Sequence, residues 1–209
     1  MNKKQDLLIE IGTEELPPKS LKRLAPAFHR EICNSLKENG LAFSEASWLA
    51  TPRRLALIIN QLDINQADKQ QQRRGPAVSA AFDDDGKPTR ATEGFAKSCG
   101  VAVDQLDNMK TEKGSWLVFD TLVKGKQTQE LIPDMINIAL KRLPIAKRMR
   151  WGNNDFEFVR PIKWILLLLG TESIDCEIMG VKSGKHSYGH RFHYPESINI
   201  THASNYVEI

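Results

Sequence analysis

The chain opens on an apolar run that stops short. Leu7 to Ile11 has the length and branched side chains of a β-strand, Gly12 allows a tight exit, and Pro17-Pro18 stiffens the lead into the next element. Strand, turn and helix are therefore expected in that order. From Lys19 to Asn39, apolar residues at Leu21, Leu24, Ala25, Phe28, Ile32 and Leu36 keep helical spacing, and Asn39-Gly40 supplies the stop. Trp48 to Ala50 and Leu55 to Ile59 read as strand segments around Thr51-Pro52-Arg53-Arg54, with a bulge or an edge at Pro52.

Composition changes after that. Asn65 to Arg74 is polar and rich in Gln, which marks a linker or a crossing to another lobe. Arg73-Arg74-Gly75-Pro76 is a basic turn and Phe82 to Pro88, with Asp83-Asp84-Asp85, an acidic one. Pro88 to Val101 predicts a short helix capped by Thr89 and ended by Gly100, and Asp104 is placed to cap a second short turn. Trp116 to Lys124 reads as a strand and Gln129 to Arg142 as an amphipathic helix, with Pro133 in its first turn and Pro144 beyond its end. Phe156 to Leu169 and Ile174 to Val181 then predict two strands joined as a hairpin through Gly170 to Ser173. The fold class that follows is α+β, with mixed or antiparallel sheets, packed amphipathic helices and more than one lobe. The expected organisation is a β-α-β unit over 1–66 packing with 145–209, a small helical insert over 67–115, and a strand, helix and hairpin region over 116–209.

At 209 residues, 41% of them hydrophobic and 26% charged, the composition is that of a globular protein with a real core. The longest apolar run, Ile165 to Leu169, is far short of the roughly 20 residues of a membrane helix, and the polar start is not a secretory leader. A cytoplasmic protein with no membrane partner is expected. Cys33, Cys99 and Cys176 are odd in number and far apart, so free buried thiols are expected rather than a disulfide framework or a metal knuckle.

Several groups of residues invite chemistry. Glu10, Glu14 and Glu15 read either as an acid/base or metal cluster or as carboxylates favoured ahead of a helix. Asp83 to Gly86 begins like a calcium loop, yet position twelve is Gly94 where a glutamate is required. His186, His190 and His193 would face one metal only on a helix, and the neighbouring glycines and aromatics argue for strand or loop. Cys99 and Ser187 lack the sequence context of a hydrolase nucleophile, and no phosphate-binding glycine loop is present. No self-contained catalytic or metal site emerges. The net charge of +3 is mild, but basic residues concentrate from Lys141 to Lys163 with Trp151 and Trp164 among them. That pattern suits phosphate contact with base stacking, or a solvated helix end and strand fringe.

Read as strings, LLIEIGTEELPP at 7–18, TPRRLA at 51–56, RGP at 74–76, KPTRATEGFA at 87–96, MRWG at 149–152, FVRPIKW at 158–164 and GHRF at 189–192 occur in order. This ordered set resembles the β subunit of the bacterial two-subunit glycyl-tRNA synthetase, and spans nearly the whole chain. The resemblance implies an N-terminal fragment of that subunit, which supports tRNA acceptor-arm binding and assembly. In that family the α subunit carries the ATP, Mg and glycine chemistry, so no cofactor is expected in this chain. Expected partners are the α subunit, in an α2β2 heterotetramer, and glycine tRNA. Arginine meets phosphate with a planar fork. On the resemblance, Arg53, Arg54, Arg74, Arg90, Arg148, Arg150, Arg160 and Arg191 are the candidate RNA contacts, with Trp151 as a stacking residue. Alternatives are a docking platform for the α subunit that binds no RNA, and a deacylating hydrolase module.

Overall fold

The computed structural model describes residues 3–83, 85–112, 114–153 and 155–209. Strand β1 (Lys4–Thr13) leads through Pro17 into helix α1 (Pro18–Glu38), and β2 (Glu45–Thr51) and β3 (Arg54–Asp63) follow as an antiparallel hairpin. Next come β4 (Lys69–Ala77), α2 (Arg90–Cys99), β5 (Asp107–Thr111), β6 (Gly114–Val123) and α3 (Thr128–Arg142). The remainder is β-rich: β7 (Met149–Arg150), β8 (Glu157–Phe158), β9 (Ile162–Leu169), β10 (Glu172–Ser173), β11 (Glu177–Ile178), β12 (Val181–Gly184), β13 (His186–Tyr188) and β14 (Ser197–Asn199). The fold is α+β, with mixed and antiparallel sheets. It divides into two compact units, one made of the chain up to Gln66 with Lys126–Ile209, the other of Ala67–Gly125.

The larger unit is built on a sheet of order β11-β12-β9-β1-β3-β2, with β10 also on β9. Both neighbours of β1 are antiparallel to it. Because side chains alternate along a strand, β1 divides its residues between two faces. Leu7, Ile9 and Ile11 join Leu55, Leu57, Ile165 and Leu167 in the main core, which the apolar stripes of α1 (Phe28, Ile32) and α3 (Ile136, Leu140) close. Leu8 falls on the other face, with Ile58, Leu166 and Leu168, under Ile200 and Ala203 from the last segment of the chain. Glu10 alternates onto that second face too.

Several local expectations change. Pro52-Arg53 is the two-residue tip of the β2–β3 hairpin rather than a bulge or edge, and its carbonyls accept from the backbone of Leu16 and Thr13 at 2.6 and 2.8 Å. Gly12 lies in the ladder, opposite Arg54 and Trp164, and makes no turn. Ile174 to Val181 is not one strand of a hairpin with β9. Only Glu172–Ser173 returns along β9, and a reversal at Met179-Gly180, both at positive φ (49° and 79°), then brings β12 parallel to it. Such a reversal needs left-handed backbone at both central residues. Pro133 sits in the second turn of α3, since that helix begins at Thr128.

The smaller unit is a three-stranded antiparallel sheet of order β4-β6-β5 with α2 against β4. Lys69 to Arg74, within the stretch read as a polar linker, belong to a strand whose first six residues are all exposed. Gly100 ends α2 at φ 74°. Thr89 precedes the helix but does not cap it, because its hydroxyl donates to the carbonyls of Ala80 and Ala81 at 3.0 and 3.3 Å. The turn at Val103–Gln105 is held by the Gln105 side chain, which accepts from the Ala102 N–H at 3.2 Å, and not by Asp104. In the acidic turn the Asp83 carboxylate accepts from the backbone of Asp85 and Lys87 at 3.1 and 2.8 Å. Asp84 lies outside the described residues.

The core predicts its own sensitivity. Leu167→Ala, at a side chain with 0% exposure, is expected to cost about 2–5 kcal/mol in urea unfolding. Leu122→Ala, at a residue 58% exposed, should stay within about 0.5 kcal/mol.

Candidate functional site

The second face of the large sheet holds a carboxylate where an apolar side chain would be expected. Glu10 is completely buried, and three donors converge on it from the far end of the chain. The Trp164 indole N–H and the Tyr206 hydroxyl each donate to it, and the Ser187 hydroxyl reaches both carboxylate oxygens at 2.8 and 2.9 Å. A buried polar group without partners costs several kcal/mol, so this arrangement is what makes the position tolerable. Burial first, then the neighbouring Glu10 carboxylate, push the Tyr206 hydroxyl far above its ordinary range, with Arg54 acting in the opposite sense. Tyr206 therefore remains a donor.

Trp164 is seated by a glycine. A Cβ at Gly12 would lie 2.0 Å from the indole, so the ring rests flat on the strand where no other residue leaves room. Tyr188 packs on the same indole with ring centroids 4.9 Å apart, and the Arg53 guanidinium lies 5.6 Å from its centroid. Around this assembly run two grooves. One, of about 280 Å³, is lined by Arg53, Lys163, Tyr188, Arg191 and Tyr194. The other, of about 350 Å³, is lined by Thr51, Arg53, Arg54, Gly189 and His190. Lys163 pairs with Glu14 at 3.1 Å; that bond, against a partial desolvation penalty, and the charges of Lys163, Arg191 and Arg53 hold the Glu14 carboxyl below its usual value. Tyr188, Tyr194 and Phe192 are exposed beside these cations. Guanidinium groups beside open aromatic rings can contact phosphates and stack bases.

Of the candidates, the structure places Arg53 with Arg191 in one groove and with Arg54 in the other. The other candidates lie elsewhere. Arg148 donates to the carbonyls of Lys141, Leu143 and Glu157, tying the end of α3 to β8. Arg150 pairs with Asp155 and Glu157 at 3.1 and 3.0 Å, and Arg160 donates to the Glu15 carbonyl at 3.2 Å. Trp151 is half-buried against the main core. Arg74 and Arg90 belong to the smaller unit, where the Arg74 guanidinium stacks 3.5 Å from the Trp116 ring centroid and Arg90 is exposed at the start of α2. Tyr188, Tyr194 and Tyr206 were not singled out from sequence. Glu10 was, but as part of a cluster with Glu14 and Glu15 that does not form.

Other candidate chemistry takes structural forms. His190 Nδ1 accepts from the backbone of Phe192 and His193 at 3.2 and 3.3 Å, shaping the loop after β13. Among the described residues no three His, Cys, Asp or Glu side chains are grouped to hold a metal ion. All three cysteines are free, with Cys33 buried and Cys99 and Cys176 only partly so. No helix among the described residues is long and apolar enough to cross a membrane.

Comparison with known proteins agrees with the motif order. A family model described as glycyl-tRNA synthetase beta subunit matches residues 7–209. The chain is 52% identical over 202 residues to the glycine--tRNA ligase beta subunit of Marinobacter nauticus, covering 97% of this chain and 29% of that protein. It is 50% identical over 204 residues to the corresponding protein of Hahella chejuensis, covering 98% and 30%. The protein of Actinobacillus succinogenes gives 50% identity over 205 residues, covering 98% and 30%. The chain thus spans about 30% of the length of the curated relatives it matches.

Two substitutions test the assembly. Glu10→Leu leaves the buried Trp164 and Ser187 donors and the half-buried Tyr206 hydroxyl without their acceptor and is expected to lower stability by about 3 kcal/mol or more, read by denaturant unfolding. Gly12→Ala drives a methyl into the indole; a loss of about 1–3 kcal/mol and a shifted tryptophan emission are expected. A third concerns pH. The Glu14 pKa is depressed on folding, so its contribution is present above the unfolded value and lost as pH falls through the folded one. Glu14→Gln should flatten the acid limb of the stability curve, by less than about 1 kcal/mol because the pair is solvent-exposed.

Proposed function

Because the chain belongs to the glycyl-tRNA synthetase β subunit family, we propose that its larger unit contacts tRNA through the grooves of Arg53, Arg54 and Arg191. In this reading the chain serves a glycine-tRNA ligase as a binding and assembly element. Activation of glycine with ATP and Mg belongs to a partner α subunit. Arg53 lines both grooves, with Arg191, Tyr188 and Tyr194 beside it in one and Arg54 in the other, and this placement of arginines next to exposed rings carries the proposal. Arginine forks take phosphate oxygens, and unstacked bases take the rings, which favours an RNA segment with an unpaired end such as the acceptor arm.

The hairpin tip suits this role. Pro52 and Arg53 are tied by backbone hydrogen bonds to Leu16 and Thr13, and Trp164 stands beside Arg53. Cations set on a fixed backbone lose little freedom on binding. A second reading, docking of an α subunit, is favoured by Trp48, 43% exposed on the edge strand β2. Such exposed edges are natural places for another chain to pair.

Titration with glycine tRNA and with an acceptor-stem minihelix across a salt series tests the proposal. Both should bind, with affinity falling steeply as salt rises, and Arg53→Ala or Arg191→Ala should each reduce the salt slope by about one. Arg148→Ala, which loses three carbonyl partners, should lower Tm while leaving the slope unchanged. A folded chain that binds neither RNA overturns the proposal, and capture of an α subunit at high salt, lost on Trp48→Ala, would then support docking.

A further inference from the structure

The groove of about 280 Å³ holds more positive charge than a single backbone phosphate calls for. Arg53, Lys163 and Arg191 all line it, and no carboxylate does. Among the described residues Glu14, 3.1 Å from Lys163, is the one carboxylate paired with any of the three. The charges of Arg191 and Arg53 reach that same carboxylate. Three cations against one anion leave an excess of two positive charges. The arginines are also short of partners. Arg191 makes no hydrogen bond or ion pair among the described residues, only a ring contact with Phe192 at 5.4 Å. The Arg53 Nε is buried with no hydrogen-bond partner, although buried donors are nearly always satisfied.

Charge decides which phosphate such a groove prefers. A phosphodiester within a strand carries one negative charge, whereas a phosphate monoester carries about −1.5 to −2 at pH 7 and offers three acceptor oxygens. In a concavity lined by one sign of charge, attraction rises with the charge of the group that enters. Size points the same way. At about 280 Å³ the groove falls just below the roughly 300–1,000 Å³ of most ligand pockets, which suits the end of a strand better than a run of backbone.

We infer that this groove receives the 5′-terminal phosphate of an RNA strand, held by Arg53, Lys163 and Arg191, and that Glu14 weakens the hold. The inference rests on the proposed contact with RNA and specifies which part of the RNA enters. Strand polarity follows from charge, since a 3′ end carries hydroxyl groups and only a diester behind them. Tyr188 and Tyr194, exposed in the same groove, remain for bases of an unpaired strand where a stem ends. Lys163 thereby joins Arg53 and Arg191 as a phosphate contact.

Two acceptor-stem minihelices, identical except for a 5′-phosphate or a 5′-hydroxyl, test the inference by fluorescence anisotropy with the 209-residue chain. The phosphorylated form should bind about tenfold more tightly. Lys163→Ala, at a side chain 50% exposed, and Arg191→Ala should each reduce that ratio to about threefold or less. Glu14→Gln should tighten the phosphorylated form by about threefold. Arg150→Ala, which loses Asp155 and Glu157 outside the groove, should leave the ratio unchanged. Equal binding of the two minihelices overturns the inference and leaves the RNA contact standing. So does a preference that survives both Lys163→Ala and Arg191→Ala. If neither minihelix binds, the RNA contact fails, and uridine 5′-monophosphate at millimolar concentration decides the rest. Amide shifts at Lys163 and Arg191 that uridine does not produce support a monoester site; no shifts overturn it.

Discussion

The Glu10 carboxylate and its three donors form the interaction on which the second face of the large sheet depends. Glu10 sits in the first strand, and its partners come from residues 164, 187 and 206, so the beginning and the last segment of the chain are joined at one buried point. Long-range contacts of this kind are expensive in chain entropy, because distant segments must be brought together before they repay it. Once formed, they fix Trp164, Ser187 and Tyr206 together, and the grooves inherit that geometry. Apolar packing of Ile200 and Ala203 on Leu8 and Leu166 adds area to the same face but no direction.

The helical side of the sheet obeys simpler rules. Leu7, Ile9 and Ile11 alternate toward α1 and α3, and those helices present apolar stripes at helical spacing. These elements were legible in the sequence because burial on one face writes a period into it. β4 was not: its first six residues are exposed, so no apolar alternation marks it, and its backbone pairing with β6 is what makes it a strand. The parallel pairing of β12 was hidden for another reason. A two-residue reversal at Met179-Gly180 redirects the chain, and neither apolar run discloses which neighbour it will meet.

The candidate site was partly legible. Arg53, Arg54 and Arg191 could be named from charge and motif, but their separation from Arg148 and Arg150 could not, because intramolecular partners such as the Lys141 and Glu157 carbonyls are not encoded locally. Glu10 carried a local signal, a lone carboxylate among Leu8, Ile9 and Ile11. Its meaning required residues more than a hundred positions away. Gly12 is the same case, since its need arises from the Trp164 ring above it and not from any turn.

The junction between the two units shows how the chain is spliced. Gln66 and Lys126 face each other as neighbours: the Gln66 N–H donates to the Lys126 carbonyl at 2.9 Å, and the Lys126 N–H to the Gln66 side-chain oxygen at 3.1 Å. Asn65 and Gln127 bridge beside them. The larger unit is thereby a host already closed on itself, and Ala67–Gly125 a guest whose two ends leave through one doorway. The paired ends at Gln66 and Lys126 hold the larger unit's own backbone together at the point where the chain leaves it and returns, so its sheet is closed by its own residues.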